Sequence, residues 1–411
     1  MVIETSTGIA IRNVPPPMPL RLRESQGKEA ENATHGAAAT WGLADFVFRP
    51  ELRRLTSGVR ELGDGVLLVG EIGVVVQVKS RTAPSGDSER ERRWVMKQCE
   101  KALRQGSGTI RQLCRAPATM SNMRGRQIEV DGNDYKWVIA VVIDHPEMPE
   151  VAPTPAENAV LLMRRDWEFL FEQLKSTHRV GDYLLRVAGA PQALGTEPVR
   201  YYELAAADEA TEPTPLSPPF RLPGTEEVSE PLLPMAPVAT ENGDDHSLFR
   251  TILEDIAETK LSTIDEVDRI RALADLDHLP PLQRASIGAY LRLGFERIKN
   301  IKPPEVLWHL RRVSGGFDAT QLGFGVCSTF NEEIQWAFGT WVRLRHHEFA
   351  ERLGAERPVS VGVLLTPRPD RTRKWDTSMC AIRGPSDLTS EEPEAFRELW
   401  NSEQDALAQA A

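Results

Sequence analysis

Cysteine is scarce in this chain. Its 411 residues include four, Cys99, Cys114, Cys327 and Cys380, widely spaced and without a CxxC pair. That argues against a disulfide scaffold and a cysteine-rich zinc site, and fits a reducing cytoplasm. Long apolar runs are also missing. A run such as Val138 to Ile143 stops far short of the ~20 residues a bilayer span needs, so no membrane partner is expected. Met1 to Arg23 has no cationic start followed by an apolar core, so no secretory leader is expected either. Several common catalytic signatures are absent: no GxxxxGK[ST] phosphate loop, no HExxH zinc helix, no GxSxG nucleophile elbow. Gly106-Ser-Gly108 is not followed by a dinucleotide-binding pattern, and no internal repeat is visible. An ATP motor, a zinc peptidase and a serine hydrolase are thereby disfavoured.

What remains is an ordinary globular composition, 41% hydrophobic and 27% charged. At roughly 100–200 residues per domain, the length predicts two or three domains. The net charge of -11 disfavours indiscriminate nucleic-acid binding, but the average conceals a polarity. Lys79 to Arg126 holds twelve Lys/Arg against four Asp/Glu, and Asp208 to Asp245 holds nine acids against one Arg. Such asymmetry marks a basic binding surface and an acidic linker.

Along the chain, residues 1–35 read as a flexible tail, with three consecutive prolines from Pro15. Residues 36–150 read as an α/β domain. It opens with helix or helix-plus-turn from Trp41. The apolar runs Gly65 to Val69 and Val74 to Lys79 flank a glycine-bounded turn, which predicts a hairpin. A helix is expected over Ser88 to Gln105, capped by Ser88 with Glu91 completing a capping box. A second hairpin is expected from Gln127–Val130 and Tyr135–Ile143. Residues 151–204 form a helical bridge, with helices at Asp166–Leu174 and Val180–Val187. Residues 205–245, with eight prolines, read as a linker. Residues 246–411 read as a helical and α/β C-terminal domain. There the expected elements are helices up to Asn300, a strand at Gln321–Ser328, a long helix at Asn331–Gly354, strands at Val359–Leu365 and Met379–Ile382, and a last helix at Glu391–Trp400. The fold class is α/β (α+β).

The sharpest constellation is Asp64, Gln77 and Lys79. With Glu71 and Ile72 as the turn, Asp64 faces Lys79 and Val66 faces Gln77. Side chains alternate with period two, so Asp64, Gln77 and Lys79 project from one face. Leu67, Val69, Val74, Val76 and Val78 project from the other, toward a helix. A carboxylate beside an amide oxygen can hold Mg²⁺, a hard ion that prefers oxygen ligands. A nearby ammonium can activate water and stabilise charge developing on a phosphate. The basic helix that follows could contact backbone phosphates.

This spacing resembles the PD-(D/E)xK nuclease superfamily, in which an acid opens one strand and an (E/D/Q)xK motif lies on the next. Gln77-Val78-Lys79 most resembles the QxK of Mrr-type restriction endonucleases. Arg60-Glu-Leu-Gly-Asp64 with Val74-Val-Val-Gln-Val-Lys79 also resembles a loose group of nuclease-like bacterial proteins. The resemblance covers residues 41–145, about a quarter of the chain. It implies a restriction-endonuclease-like αβββαβ core and Mg²⁺- or Mn²⁺-dependent cleavage of DNA, in a context such as restriction or phage defence. Asp64 and Gln77 would bind the metal, with Glu51 or Glu61 as a further ligand and Asp45 as another acid near the first helix. Lys79 would position or activate the water, and Arg81, Arg90, Arg93, Lys97, Lys101 and Arg104 would meet DNA. Gly63 precedes Asp64 where the family often has proline, and Gln77 brings no charge to the metal.

Two readings compete with cleavage. One is a degenerate nuclease fold that binds nucleic acid or a partner protein without cutting. The other is an assembly protein whose C-terminal unit mediates oligomers or recruits a protein partner. The weaker features read as scaffold: His346 and His347 on a helix surface, Trp336, Phe338, Trp341 and Phe349 in a core, Asp144-His145 in a turn. The basic loop Arg368 to Lys374, tipped by Trp375, reads as solvated, with a phosphate-binding role as the alternative.

Overall fold

The run Val138–Ile143 occupies the most protected place a strand can have. All six residues are fully buried, as expected of a strand with neighbours on both sides and helices over both faces. The computed structural model in which this is seen describes the chain apart from residues 1, 6–7, 22, 51–52, 56–57, 61–63, 148, 211–232, 237–239, 260–264, 303, 315–319, 355–356, 369–373, 390, 399 and 401–411. It is a mixed α/β structure of two compact units. The first comprises Met1–Glu212, Glu230–Pro237 and Ser262–Pro280; the second comprises Pro213–Ser229, Val238–Leu261 and Pro281–Ala411.

The first unit begins with a small hairpin, β1 (Val2–Thr5) and β2 (Gly8–Ile11), followed by helix α1 (Gln26–Trp41). Then come β3 (Val47–Pro50), a short pair β4 (Arg53–Leu55) and β5 (Gly58–Arg60), β6 (Gly65–Val69), β7 (Ile72–Ser80) and helix α2 (Ser88–Arg115). Strands β8 (Ala118–Asn122), β9 (Gln127–Val130), β10 (Lys136–Asp144) and β11 (Ala159–Met163) follow, then α3 (Arg164–Leu174), α4 (Thr177–Val187) and α5 (Glu197–Ala210). After α6 (Gly243–Glu258), which belongs to the second unit, α7 (Glu266–Asp277) returns to the first. Seven strands form one sheet in the order β11-β10-β7-β6-β3-β8-β9. β7, β10 and β11 run parallel; the other pairings are antiparallel.

Each element has a local cause. β7 and β10 are apolar throughout their middle because both faces are covered. On one face, α2 packs Val95, Cys99 and Ala102 against Ile139, Val141 and Ile143. On the other, His35 of α1 lies over Gly65, and Gly181 of α4 lies over Ile72. The edge hairpin β8–β9 alternates buried with more exposed residues, the pattern of a half-covered pair. Asp87, not Ser88, caps α2: its carboxylate accepts from the Glu89 and Arg90 amides. Glu91 completes no capping box and turns back to Ser85.

Several expectations are corrected. The supposed tail contains β1, β2 and most of α1. The buried residues of α1 are Glu29, Ala30, Thr34, His35 and Ala38, too small and polar to register as an apolar stripe. β9 pairs with β8, and β10 joins β7 in parallel, so Gln127–Val130 and Tyr135–Ile143 are not one hairpin. Residues 151–204 supply a sheet strand as well as helices. Most of the acidic linker lies outside the described residues.

In the second unit, α6 and α8 (Pro281–Ile298) accompany a sheet of order β12-β13-β14-β15: β12 (Trp308–Ser314), β13 (Thr320–Cys327), β14 (Val359–Pro367) and β15 (Trp375–Arg383). Helix α9 (Glu332–Leu353) links the parallel pair β13–β14. Phe338, Trp341 and Phe349 are buried, but Trp336 is 60% exposed and fills no core. His346 is buried rather than on the surface, bonded to Ser360 Oγ and the Gly384 carbonyl. Trp375 is half-buried, its indole donating to Asp255. No described helix is long and apolar enough to cross a membrane.

Candidate functional site

The β6–β7 hairpin turns at Gly70-Glu71, one residue earlier than expected. Val69 pairs with Ile72 and Gly65 with Val76. Gly70 has φ +55° and Glu71 has no positive φ; glycine at the first central position is the II′ pattern, whose twist suits a tight hairpin. Extending the ladder sets Asp64 opposite Gln77, not opposite Lys79. The slip is two residues, so it leaves every side chain on its expected face. Asp64, Gln77 and Lys79 therefore still share a face, the one covered by α2.

The side chains of Asp64 and Lys79 meet there. Asp64 Oδ2 accepts a 2.7 Å hydrogen bond from the Val78 amide and lies 3.2 Å from the Lys79 ammonium. Lys79 also donates to the Val78 carbonyl at 3.0 Å. Both side chains keep some access to solvent, 18% for Asp64 and 15% for Lys79. Gln77 is buried, and its Nε2 has no hydrogen-bond partner among the described residues. Chemically, the group offers one carboxylate, one amide oxygen and one ammonium. Asp64 belongs to no cluster of three metal-ligating side chains among the described residues. Glu51 and Glu61, the further ligands expected from sequence, lie outside the described residues. Asp45 is excluded by geometry: it is fully buried and held by Arg124 and Arg126.

A polar network occupies the carboxyl ends of β7 and β10, beside the trio. Arg81 grips buried Glu91 with two hydrogen bonds, 2.8 and 2.9 Å. Ser85 donates to Glu91 from its amide and hydroxyl, and His145 Nε2 lies 2.8 Å from the same carboxylate. The Arg81 guanidinium, then Ser85 and His145, hold the Glu91 carboxyl well below the usual carboxylate range despite its burial. Trp94 packs on both Arg81 and His145. Alongside, Asp144 accepts from Ser80 and Arg164. Arg81 is thus a clamp that ties β7 to the start of α2, not a free phosphate contact. Asp144-His145 is part of this clamp rather than a bare turn. No sequence signal marks either role, because the partners meet only where two parallel strands end side by side.

The other expected DNA contacts keep their freedom. Arg90, Arg93, Lys97, Lys101 and Arg104 are all exposed on α2. Their spacing of three or four residues lines them along one ridge, opposite the buried Val95, Cys99, Ala102 and Gly106. Arg111 and Arg115 continue the ridge and are also exposed. Glu89 and Glu100 approach it only as long, exposed pairs with Arg93 (3.9 Å) and Arg104 (4.0 Å); such pairs are weak competitors for a polyanion. Comparison of the chain with family models, with curated proteins and with solved structures finds no match.

Proposed function

We propose that the first unit is an Mrr-like, Mg²⁺-dependent endonuclease module that hydrolyses phosphodiester bonds of DNA. The observation that carries this reading is the meeting of Asp64 with Lys79 beside Gln77, on the strand that leads into the cationic ridge of α2. The succession α1, β3, β6, β7, α2 and β10, interrupted by β4–β5 and by β8–β9, is compatible with an αβββαβ core, with Asp64 just before β6 and the QxK motif on the neighbouring β7. Asp64 and the Gln77 amide oxygen would hold the ion, which would supply positive charge to the scissile phosphate. Lys79, held by Asp64 and the Val78 carbonyl, would orient water and offset negative charge on the phosphate. The α2 ridge would bind the backbone and so align the strand.

A second reading has its own support. Asp64 Oδ2 is already engaged twice, and one carboxylate with a neutral amide is a poor divalent-ion site. That favours a module that binds DNA along α2 without cutting it. One experiment separates the two: incubation of supercoiled plasmid with wild type, Asp64→Ala and Lys79→Ala in Mg²⁺ or Mn²⁺, with gel-shift measurements in parallel. Nicking by wild type alone supports the nuclease. Retention without nicking by all three supports the binding module. Neither retention nor nicking refutes both.

A further inference from the structure

We infer that His178, Asp182 and His278 form a transition-metal site of the Zn²⁺ class that braces α7 on α4. Among the described residues this is the one group of three His, Cys, Asp or Glu side chains whose ligand atoms converge, all within 4.8 Å of one another. His178 and Asp182 are four residues apart on α4, so they share a helix face. His278 caps the C-terminal end of α7, a hundred residues further along the chain.

The separations fit an ion. Zn²⁺ binds nitrogen and oxygen at ~2.0–2.1 Å, and at a tetrahedral angle two such ligands sit about 3.3 Å apart. Asp182 Oδ2 lies 3.1 Å from His178 Nδ1 and 3.6 Å from His278 Nε2. The two imidazoles stack nearly face to face, 4.0 Å between centroids and 19° from parallel, so taking up one ion requires a ring to turn about its Cβ–Cγ bond until both nitrogens point at it. Two imidazoles and a carboxylate match the ligand preferences of Zn²⁺, Co²⁺ and Ni²⁺ better than those of Mg²⁺. Three protein ligands leave a fourth position for water. The group is reachable: the side chains are 15%, 41% and 21% exposed in chain order.

The surroundings hold the ligands in place. Buried Asp277 accepts from the His178 amide and from the Ser176 hydroxyl, which fixes the end of α7 against the start of α4. Arg179 Nε donates to the His278 carbonyl at 2.8 Å, which fixes the backbone of the third ligand. Across from the ring of His178 is Gly70 of the β6–β7 turn, where a Cβ would come within 3.1 Å of Nε2. The site therefore lies at the turn end of the hairpin. Asp64 and Lys79 lie at the other end, about 23 Å away at ~3.3 Å per residue from Ile72 to Lys79. The inference does not depend on the proposed nuclease activity.

The test uses the full chain, stripped with a chelator and titrated with Co²⁺, then Zn²⁺. Expected are one Co²⁺ per chain with the visible absorption of a four-coordinate site, displacement by Zn²⁺, and a higher melting temperature with Zn²⁺ than without. His178→Ala and His278→Ala should lose the absorption, and Asp182→Asn should weaken binding. Asp64→Ala should leave it unchanged, which separates this site from the hairpin trio. Failure of folded wild type to bind Co²⁺ stoichiometrically would overturn the inference, whatever the variants do. So would binding that survives in His178→Gln and His278→Gln with unaltered circular dichroism.

Discussion

His35 makes the stability of the first unit depend on mildly acidic pH in a calculable way. Its ring is buried between α1 and Gly65, and its Nε2 has no hydrogen-bond partner among the described residues. Burial, reinforced by the nearby charges of Arg49 and Lys28, lowers its pKa from 6.5 to about 4. Between those values the unfolded chain binds a proton that the folded chain refuses. The folded state is therefore penalised as pH falls through 6.5, and the penalty levels off below about 4. Linkage gives a loss of about 2 kcal/mol at pH 5 relative to pH 7.5, and about 3 kcal/mol once both states are protonated. His35→Leu removes the titrating group and keeps an apolar side chain of similar bulk. Two compact units need not unfold together, so the assay is native-state hydrogen exchange of the β7 and β10 amides. The difference in opening free energy between His35→Leu and wild type should shift by about 2 kcal/mol in favour of the variant between pH 7.5 and pH 5. A difference that stays constant across that range would refute the argument, as would an NMR titration placing the ring pKa near 6.5.

Three further outcomes are expected. Gly65→Ala puts a Cβ 2.1 Å from His35 Nε2, so it should cost about 1–3 kcal/mol by overpacking; adding His35→Ala should recover part of that loss, which denaturant curves of the double variant would show. Asp166 is buried with its carboxylate accepting from the Met163 and Gly195 amides, and burial raises its pKa to about 7; its folded value exceeds its unfolded one, so stability is lost as pH rises from about 4 to 7. Asp166→Asn should then stabilise the protein at pH 8 by as much as about 4 kcal/mol and change little at pH 4, and equal effects at both values would contradict this. If α2 binds DNA by its ridge, replacing Arg93, Lys97 and Lys101 by alanine should lower the salt slope of duplex binding by roughly 2 to 3, at ~0.9 per phosphate contact; fluorescence anisotropy over a salt series measures it, and an unchanged slope places the contact elsewhere.

The sequence determined what depends on local periodicity. Two-residue alternation put Asp64, Gln77 and Lys79 on one face, and that survived a turn placed one residue late, because a slip of two preserves the face. The run Val138–Ile143 announced a strand, though not its parallel partners, and the cations from Arg90 onward announced a basic helix. The strands β13 and β14 and the long helix between them were legible for the same reason, though not their parallel pairing. Tertiary structure decided whatever depends on which distant segments meet. Helix α1 was obscured because it packs through Ala, Thr and His, and its fit rests on a glycine thirty residues later. Arg81 looked like a phosphate contact until the end of β7 came beside the start of α2 and the end of β10, where Glu91 and His145 claim it. His178 and Asp182 are an unremarkable helical pair until α7 returns across a hundred residues and sets His278 beside them. Periodicity tells a side chain which way to face; only the pairing of strands and the docking of helices decides what it faces.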